Sequence, residues 1–240
     1  MHKNQNRTAG TMALPESDPA KFYEDIANGL HAMAQPLTIL RASMEVLSLP
    51  ASAGIDQRRY MEISAAQLER TCNLFTRVQD LVTARYVEAQ KQRYELWAVI
   101  APLIDDHRNR LQASGAGIAV ANQGPWAPIL GDVERTEQAI AAILQISAEM
   151  VERGDVIEIS TASPSGFLEL VIENTRQNRK TMSSSARLSL ALAEENILSQ
   201  QGKYAFSKDP FRVSLALPVE KLEGGRGETS LRRCETNALH

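Results

Sequence analysis

Apolar residues in the segment 19–90 recur with the period of long helices. In its first part they follow one another at alternating steps of four and three, which is the a/d spacing of a helix that packs against other helices. A break around Pro50 and Gly54 and an N-cap signal at Asp56 separate this helix from a second one. The pattern predicts an antiparallel hairpin of two long helices. Its two seams are Ile26, Leu30, Met33, Leu37, Leu40, Met44 and Leu47, and Met61, Ala65, Leu68, Cys72, Phe75 and Val82.

A single hairpin leaves part of such a seam uncovered, because two helices cannot enclose it from both sides. The simplest way to bury the seam is a four-helix bundle to which two chains each contribute one hairpin. The sequence therefore predicts a homodimer.

The segment 91–219 has a different pattern, in which short helices and short strands alternate. Elements in this order segregate into one layer of helices and one sheet, so the predicted fold class is α+β, a helical hairpin followed by a two-layer α/β sandwich. The polar, aperiodic residues 1–18 and 220–240 are predicted to be flexible tails. Helices are predicted over 97–112, 132–151 and 186–201, and strands over 118–121, 156–161, 167–173, 204–207 and 213–217.

Composition and charge exclude several classes of function. The 26 Lys and Arg residues against 29 Asp and Glu residues leave a net charge of −3, which provides no field for nucleic acid or an anionic membrane. No apolar run reaches the roughly 18 residues of a membrane span, and residues 1–20 lack the apolar core of a secretory signal. A cytoplasmic location is predicted. With only Cys72 and Cys234, neither a disulfide framework nor a structural metal is expected, and Cys72 is predicted to be a reduced thiol in the core.

His31 is the candidate reactive residue. It directly follows the seam residue Leu30, so its imidazole is expected to face solvent, where a neutral imidazole is a competent nucleophile toward phosphorus. Pro36 lies five residues later inside the helix, where proline costs about 3 kcal/mol because it removes a hydrogen bond to the carbonyl of Ala32. Taken alone, a solitary histidine of this kind is more often an ordinary surface residue.

The segment around His31 resembles the phosphoacceptor box of bacterial sensor histidine kinases. The resemblance extends over residues 20–219 and implies a dimerisation and phosphotransfer hairpin followed by an ATP-binding domain of the GHKL type. The start of the helix predicted over 132–151 is also similar to the entry of that family's nucleotide-binding helix. The first match consists of His31, Met33, Gln35, Pro36, Leu37 and Thr38, and the second of Gly131, Asp132, Glu134, Arg135, Gln138 and Ala139.

The residues that bind nucleotide in this family are missing. Ala142 and Ile146 stand at the positions of two asparagines that hold Mg²⁺ and phosphate, and neither has an oxygen ligand for the metal. Residues 173–177 lack the glycines of the adenine-reading box, and residues 186–192 lack those of the third box. ATP binding is therefore predicted to be lost, with no cofactor of the chain's own. An alternative left open is that nearby cations replace those contacts, namely Arg176, Arg179, Lys180 and Arg187.

The leading hypothesis is a dimeric histidine phosphotransferase of a phosphorelay. His31 would exchange a phosphoryl group with the aspartate of a receiver domain, which brings its own Mg²⁺, and Gln35 would orient a water. The small residues Ala27, Ala34 and Thr38 would let the receiver approach. The alternative is a non-catalytic pseudo-kinase scaffold, favoured because Ala32 replaces the family's acidic residue beside the histidine. An active ATP-dependent kinase is disfavoured.

Overall fold

The computed structural model describes residues 18–49, 56–121, 128–163, 166–176 and 180–220. The predicted tails 1–18 and 220–240 lie outside these ranges except for Asp18 and Glu220.

Two long helices form the predicted hairpin. Helix α1 spans Pro19–Leu47 and helix α2 spans Gln57–Tyr86. Asp18 caps α1 by accepting a hydrogen bond from the amide of Ala20 at 3.0 Å, and Asp56 caps α2 through the amide of Arg59 at 3.2 Å. Both helices begin at the capping signals that the sequence contains. Among the described residues, no helix is long and apolar enough to cross a membrane.

The predicted seam of α1 divides into a covered and an uncovered part, whereas the predicted seam of α2 is exposed along its whole length. On α1, Met33 is buried, whereas Leu30, Leu37 and Met44 are about half exposed. The division arises because an a/d seam is wider than the contact that one neighbouring helix makes. The buried residues of α2 are instead Leu74, Val78, Leu81 and Ala84. The large exposed residues of the predicted α2 seam are Met61, Leu68, Phe75 and Val82.

Cys72 corrects one prediction, because it is exposed rather than part of the core. It lies two residues before the buried Leu74. Two residues of an α-helix correspond to about 200° of rotation, so the thiol points away from the packed face of α2.

The second part of the chain is a two-layer α+β domain. Its mixed sheet has the order β2-β4-β5-β7-β6, in which only the β2–β4 pair is parallel. Helices α3, α4 and α5 share one core with the sheet. The helices span Leu96–Ser114 (α3), Val133–Met150 (α4) and Ser184–Leu198 (α5); the strands span Gly117–Val120 (β2), Val156–Ala162 (β4), Phe167–Asn174 (β5), Lys203–Ser207 (β6) and Arg212–Pro218 (β7).

A two-stranded antiparallel sheet joins the start of this domain to its middle. Strand β1 covers Gln92–Tyr94 and pairs with strand β3, Ile129–Gly131. The sequence pattern does not predict β1, because three residues of polar character carry no periodic signal. The Tyr94 hydroxyl lies 2.7 Å from Thr136 Oγ1, and this hydrogen bond fixes the strand against the start of α4. Burial raises the pKa of Tyr94 to about 12.

Candidate functional site

Five of the six predicted site residues lie together on one exposed side of α1. His31 is exposed, as are Ala27, Ala34, Gln35 and Thr38. With 3.6 residues per turn, these positions fall within about a third of the helix circumference. The imidazole therefore lies on an exposed surface whose neighbouring side chains are small or polar.

Pro36 lies apart from this surface, because it is buried within the hairpin. Helix α1 continues through it to Leu47. Proline has no N–H, so the carbonyl of Ala32 receives no helical hydrogen bond from position 36. Nearby, the Thr38 hydroxyl donates to the carbonyl of Ala34 at 2.8 Å. The helix thus lacks one backbone hydrogen bond one turn beyond His31.

Helix α5 of the second domain packs against both helices of the hairpin. The three helices meet at Gly29, where an added Cβ would lie 2.7 Å from Val78 Cγ2 and 3.2 Å from Leu188 Cδ1. The glycine is therefore required for the close approach of three elements. The apolar cluster at this junction contains Phe22, Met33, Leu74, Val78, Leu81, Leu188 and Ala191.

Ion pairs and charge-assisted hydrogen bonds surround this cluster. Lys21 on α1 pairs with Glu194 on α5 at 2.5 Å. Arg85 on α2 pairs with Glu195 at 3.0 Å, and both side chains are more than four-fifths buried. Near the start of α5, the Arg77 guanidinium donates to the hydroxyls of Ser185 and Ser189 at 2.8 and 2.7 Å. Polar contacts thus fix the orientation of α5 along the whole apolar junction.

Asp25 is a half-buried carboxyl beside these contacts. Burial is the main reason that its pKa rises from 3.8 to about 6. The neighbouring Glu194, Glu24 and Glu195 raise the pKa further, while Lys21 lowers it. The ionised form of Asp25 is therefore disfavoured where α5 meets α1.

The end of the hairpin is held by residues at the start of α4. The Arg135 guanidinium donates to the carbonyls of Ala84 at 3.1 Å and Val87 at 2.8 Å, which are at the end of α2. The Asp132 carboxylate accepts from the amide of Gln90 at 2.8 Å. Both residues belong to the segment that resembles the entry of a nucleotide-binding helix, and here they join the two domains.

A cavity of about 360 Å³ lies between α2, α4 and α5. Ala142 and Ile146, the residues at the family's asparagine positions, line it. A second cavity of about 310 Å³ shares Asp80 and Gln138 with the first, and burial raises the pKa of Asp80. The other residues around the first cavity are Arg77, Ala141, Gln145, Glu149, Ser183, Ser185, Ala186, Ser189 and Leu192.

At the end of strand β5 the polar residue that faces the helices is Asn174 and not Glu173. Glu173, the nearest counterpart of the family's adenine-reading aspartate, pairs with Arg212 at 2.7 Å on the face of the sheet away from α4. The buried polar residue at this strand end is Asn174, whose side-chain oxygen accepts a hydrogen bond of 2.5 Å from Ser147 of α4. Strand alternation could have identified Asn174 as the residue that faces the helices.

The contacts between α5 and the hairpin were also missed by sequence reasoning. Helix α5 carries two apolar stripes: Ala186, Leu190, Ala193 and Ile197 face the domain core, and Leu188 and Ala191 face the hairpin. A helix that is apolar on two sides signals contact with two partners. The signal was present, although it does not identify the second partner.

In sequence, the chain matches no protein-family model and no curated protein. In three dimensions it resembles solved histidine kinases. The histidine kinase AdeS of Acinetobacter baumannii has a TM-score of 0.64 at 16% identity, covering 79% of this chain and 98% of AdeS. In the complex of histidine kinase ThkA with response regulator TrrA, the match has a TM-score of 0.63 at 14% identity and covers 84% of this chain and 63% of the other.

A further match is to full-length ShkA in complex with AMPPNP, with a TM-score of 0.56 at 14% identity. It covers 83% of this chain and 45% of ShkA. These similarities confirm the predicted α+β class. The chain has a histidine-kinase-like fold, in which a helical hairpin precedes a domain that resembles the ATP-binding domain of those proteins.

Proposed function

We propose that the chain is a histidine phosphotransferase of a two-component phosphorelay. The observation that carries this proposal is the exposed imidazole of His31 on a hairpin of the histidine-kinase type, with Gln35 one turn away on the same exposed side. The partner is a receiver domain of a response regulator, and the solved complex of ThkA with a response regulator supports this class of partner.

Phosphoryl transfer at His31 needs little chemistry from this chain. The imidazole nitrogen with the free lone pair attacks the phosphorus of a receiver aspartyl phosphate; an N–P bond forms, the P–O bond to the aspartate breaks, and the carboxylate leaves with the bonding electrons. The imidazolium product then loses its proton to water. The small residues Ala27 and Ala34 allow the receiver to bring its phosphoryl group and Mg²⁺ close to the ring.

The second domain does not bind Mg-ATP in this proposal. The methyl group of Ala142 and the buried side chain of Ile146 offer no oxygen to a magnesium ion in the cavity between α4 and α5. The residues of the third box, 186–192, belong to the regular helix α5, and two of them, Leu188 and Ala191, pack on the hairpin. Titration calorimetry with Mg-ATP tests this point, and saturable micromolar binding would contradict it.

Two copies of the chain form a four-helix bundle in this proposal. The support is an exposed stripe on the hairpin, in which large apolar residues recur at intervals of seven on both helices. Such a stripe is typical of a surface that a second copy covers. The stripe consists of Leu30, Leu37 and Met44 on α1 and Met61, Leu68, Phe75 and Val82 on α2.

A scaffold without catalysis is the second candidate function. Ala32 favours it, because a helix that presents no acid beside the histidine lacks a general base for phosphorylation from ATP. A scaffold would bind a receiver or a kinase through the same exposed side of α1. It would carry no acid-labile phosphate. Either function is consistent with the expected cytoplasmic location.

The deciding experiment offers the full chain a panel of phosphorylated receiver domains and measures acid-labile phosphate on His31. The phosphotransferase acquires phosphate, and His31→Ala abolishes the uptake while leaving stability within about 0.5 kcal/mol, as expected of an exposed substitution. Gln35→Ala keeps the uptake and slows only hydrolysis of receiver phosphate. Receiver binding without phosphate on His31 would establish the scaffold instead.

A further inference from the structure

Helices α1 and α5 pack antiparallel in a register that their contacts define. Lys21 meets Glu194, and eight residues later Gly29 meets Leu188. Moving along α1 toward His31 therefore corresponds to moving along α5 toward its start. Arg187 is seven residues before Glu194, so it lies two turns along α5 on the same side of that helix.

This side of α5 borders the side of α1 that carries His31. On this register we expect Asn28, seven residues after Lys21, to be level with Arg187, and His31 to follow within one further turn. Side chains of a helix lean toward its N-terminus. Because the helices are antiparallel, this lean is expected to direct the side chains of His31 and Arg187 toward the same level of the outer groove between α1 and α5.

A phosphoryl group on His31 would need a positive charge that α1 does not provide. Such a group carries a charge of about −1.5 to −2 near neutral pH. Between Lys21 and Arg41 the sequence contains no lysine or arginine. Lys21 is already paired with Glu194, and Lys180, ahead of α5, donates to the carbonyls of Glu149 and Val151.

Arg187 is the cation on α5 that is available for this purpose. Its side chain is exposed, and within the described ranges no hydrogen bond or ion pair holds its guanidinium. By contrast, Arg77 and Arg85 of the hairpin are both engaged with α5. A guanidinium presents a planar set of donors that matches two phosphoryl oxygens.

We propose that Arg187 is a catalytic residue of the phosphotransfer site, where its guanidinium donates hydrogen bonds to the phosphoryl group carried by His31. The inference rests on the proposed role of His31 and assigns the second domain a part in the chemistry. Helix α5, which no longer has the glycines of a nucleotide box, positions this cation through its fixed packing on the hairpin.

Phosphoramidate, a small phosphoryl donor, tests the proposal without a receiver. The imidazole nitrogen attacks its phosphorus, the donor P–N bond breaks, and ammonia leaves after taking up a proton. In the full chain, Arg187→Ala is expected to slow the formation of phosphohistidine at His31 roughly tenfold or more, which is the effect of losing one charge-assisted hydrogen bond. Arg187→Lys should recover part of the rate. His31→Ala, which has no imidazole at this position, is the negative control.

Arg153→Ala is the matched control, because Arg153 is an exposed arginine of the same domain in the turn between α4 and β4. It should react at the wild-type rate. In the phosphorylated protein, ³¹P NMR should show that Arg187→Ala raises the pKa of the phosphoryl group, since a nearby cation favours its dianion. Equal rates and equal phosphoryl pKa values for the Arg187 and Arg153 variants would overturn the role of Arg187.

The two proposals fail in different ways. If the wild type reacts with phosphoramidate in an Arg187-dependent manner but accepts no phosphate from receivers, the receiver partner is wrong and the role of Arg187 stands. If receivers phosphorylate wild type and Arg187→Ala at the same rate, the phosphotransferase stands and the role of Arg187 is wrong.

Discussion

Asp25 is the residue whose charge opposes the packing of α5 on α1. Its folded-state pKa of about 6 lies above its ordinary value of 3.8, so the folded protein favours the protonated form. The stabilisation from this group is complete below pH 4 and is lost as the pH rises through 6. At neutral pH an ionised carboxyl therefore lies beside Glu194 and Glu195 at a cost to stability.

Asp25→Asn is accordingly expected to stabilise the protein at pH 7.5 and to change little at pH 4. After a discount for solvent screening of this half-buried group, we expect a gain of about 1 kcal/mol at the higher pH. Thermal unfolding of both proteins across this pH range measures the difference. Asp105→Asn, at an exposed position on α3, should show no such pH-dependent gain. A gain that is equal at both pH values would refute the role of Asp25.

At this scale, the sequence predicted the positions of side chains within one helix but did not predict the ion pairs between the two domains. The box from His31 to Thr38 is local, so helical geometry alone places His31, Gln35 and Thr38 on the exposed side of α1 and Pro36 on the buried side. The pairs Lys21–Glu194 and Arg85–Glu195 join residues more than 100 positions apart. Nothing in the pattern of either segment specifies the partner of such a charge.

At the scale of elements, Gly29 sets the distance between α1, α2 and α5. In an exposed helix, replacing glycine by alanine stabilises by about 1 kcal/mol. Here the new methyl group would lie 2.7 Å from Val78 Cγ2, so we expect Gly29→Ala to destabilise by about 1 to 3 kcal/mol. Chemical denaturation measures the free energy of unfolding.

A double-mutant cycle with Val78→Ala provides the control. Removing the Val78 methyl groups opens space for the alanine, so Gly29→Ala should cost less in the Val78→Ala background than in the wild type. Additive effects would show that the junction of the three helices is not close-packed at Gly29.

How well each helix or strand could be predicted depends on how many residues carry its sequence pattern. Helix α2 was predicted close to its start because a capping aspartate, Asp56, precedes it, whereas α1 was predicted from its long apolar period and the break near Pro50. Strand β1 was not predicted, because a segment of three residues forms a strand only where β3 provides the hydrogen bonds. Cys72 was misplaced because the predicted seam followed the exposed stripe of α2, and the packed stripe runs instead through Leu74, Val78 and Leu81.

At the scale of the whole molecule, the exposed apolar stripe predicts the oligomeric state. Each large residue of the stripe contributes roughly 1.5 to 3 kcal/mol when fully buried. Leu68→Glu places two buried charges in the bundle, so it should sediment as a monomer at micromolar concentration while the wild type sediments as a dimer. Circular dichroism should be unchanged, since Leu68 is 53% exposed in the single chain.

Leu130→Glu is the matched substitution, because Leu130 is also a large exposed apolar residue but lies on β3 of the second domain. It should remain dimeric. A wild-type chain that is monomeric and well folded at this concentration would rule out the four-helix bundle.

The contacts of Arg135 and Asp132 with the end of α2 bear on how this protein can be divided. Arg135 covers the carbonyls of Ala84 and Val87, and Asp132 binds the amide of Gln90. A truncation at the predicted boundary between residues 90 and 91 would leave these backbone groups without their partners. A hairpin transplanted onto the ATP-binding domain of a histidine kinase would inherit the same defect unless the recipient carries an arginine and an aspartate at equivalent positions. Compatible chimeras must therefore exchange the start of α4 together with the hairpin.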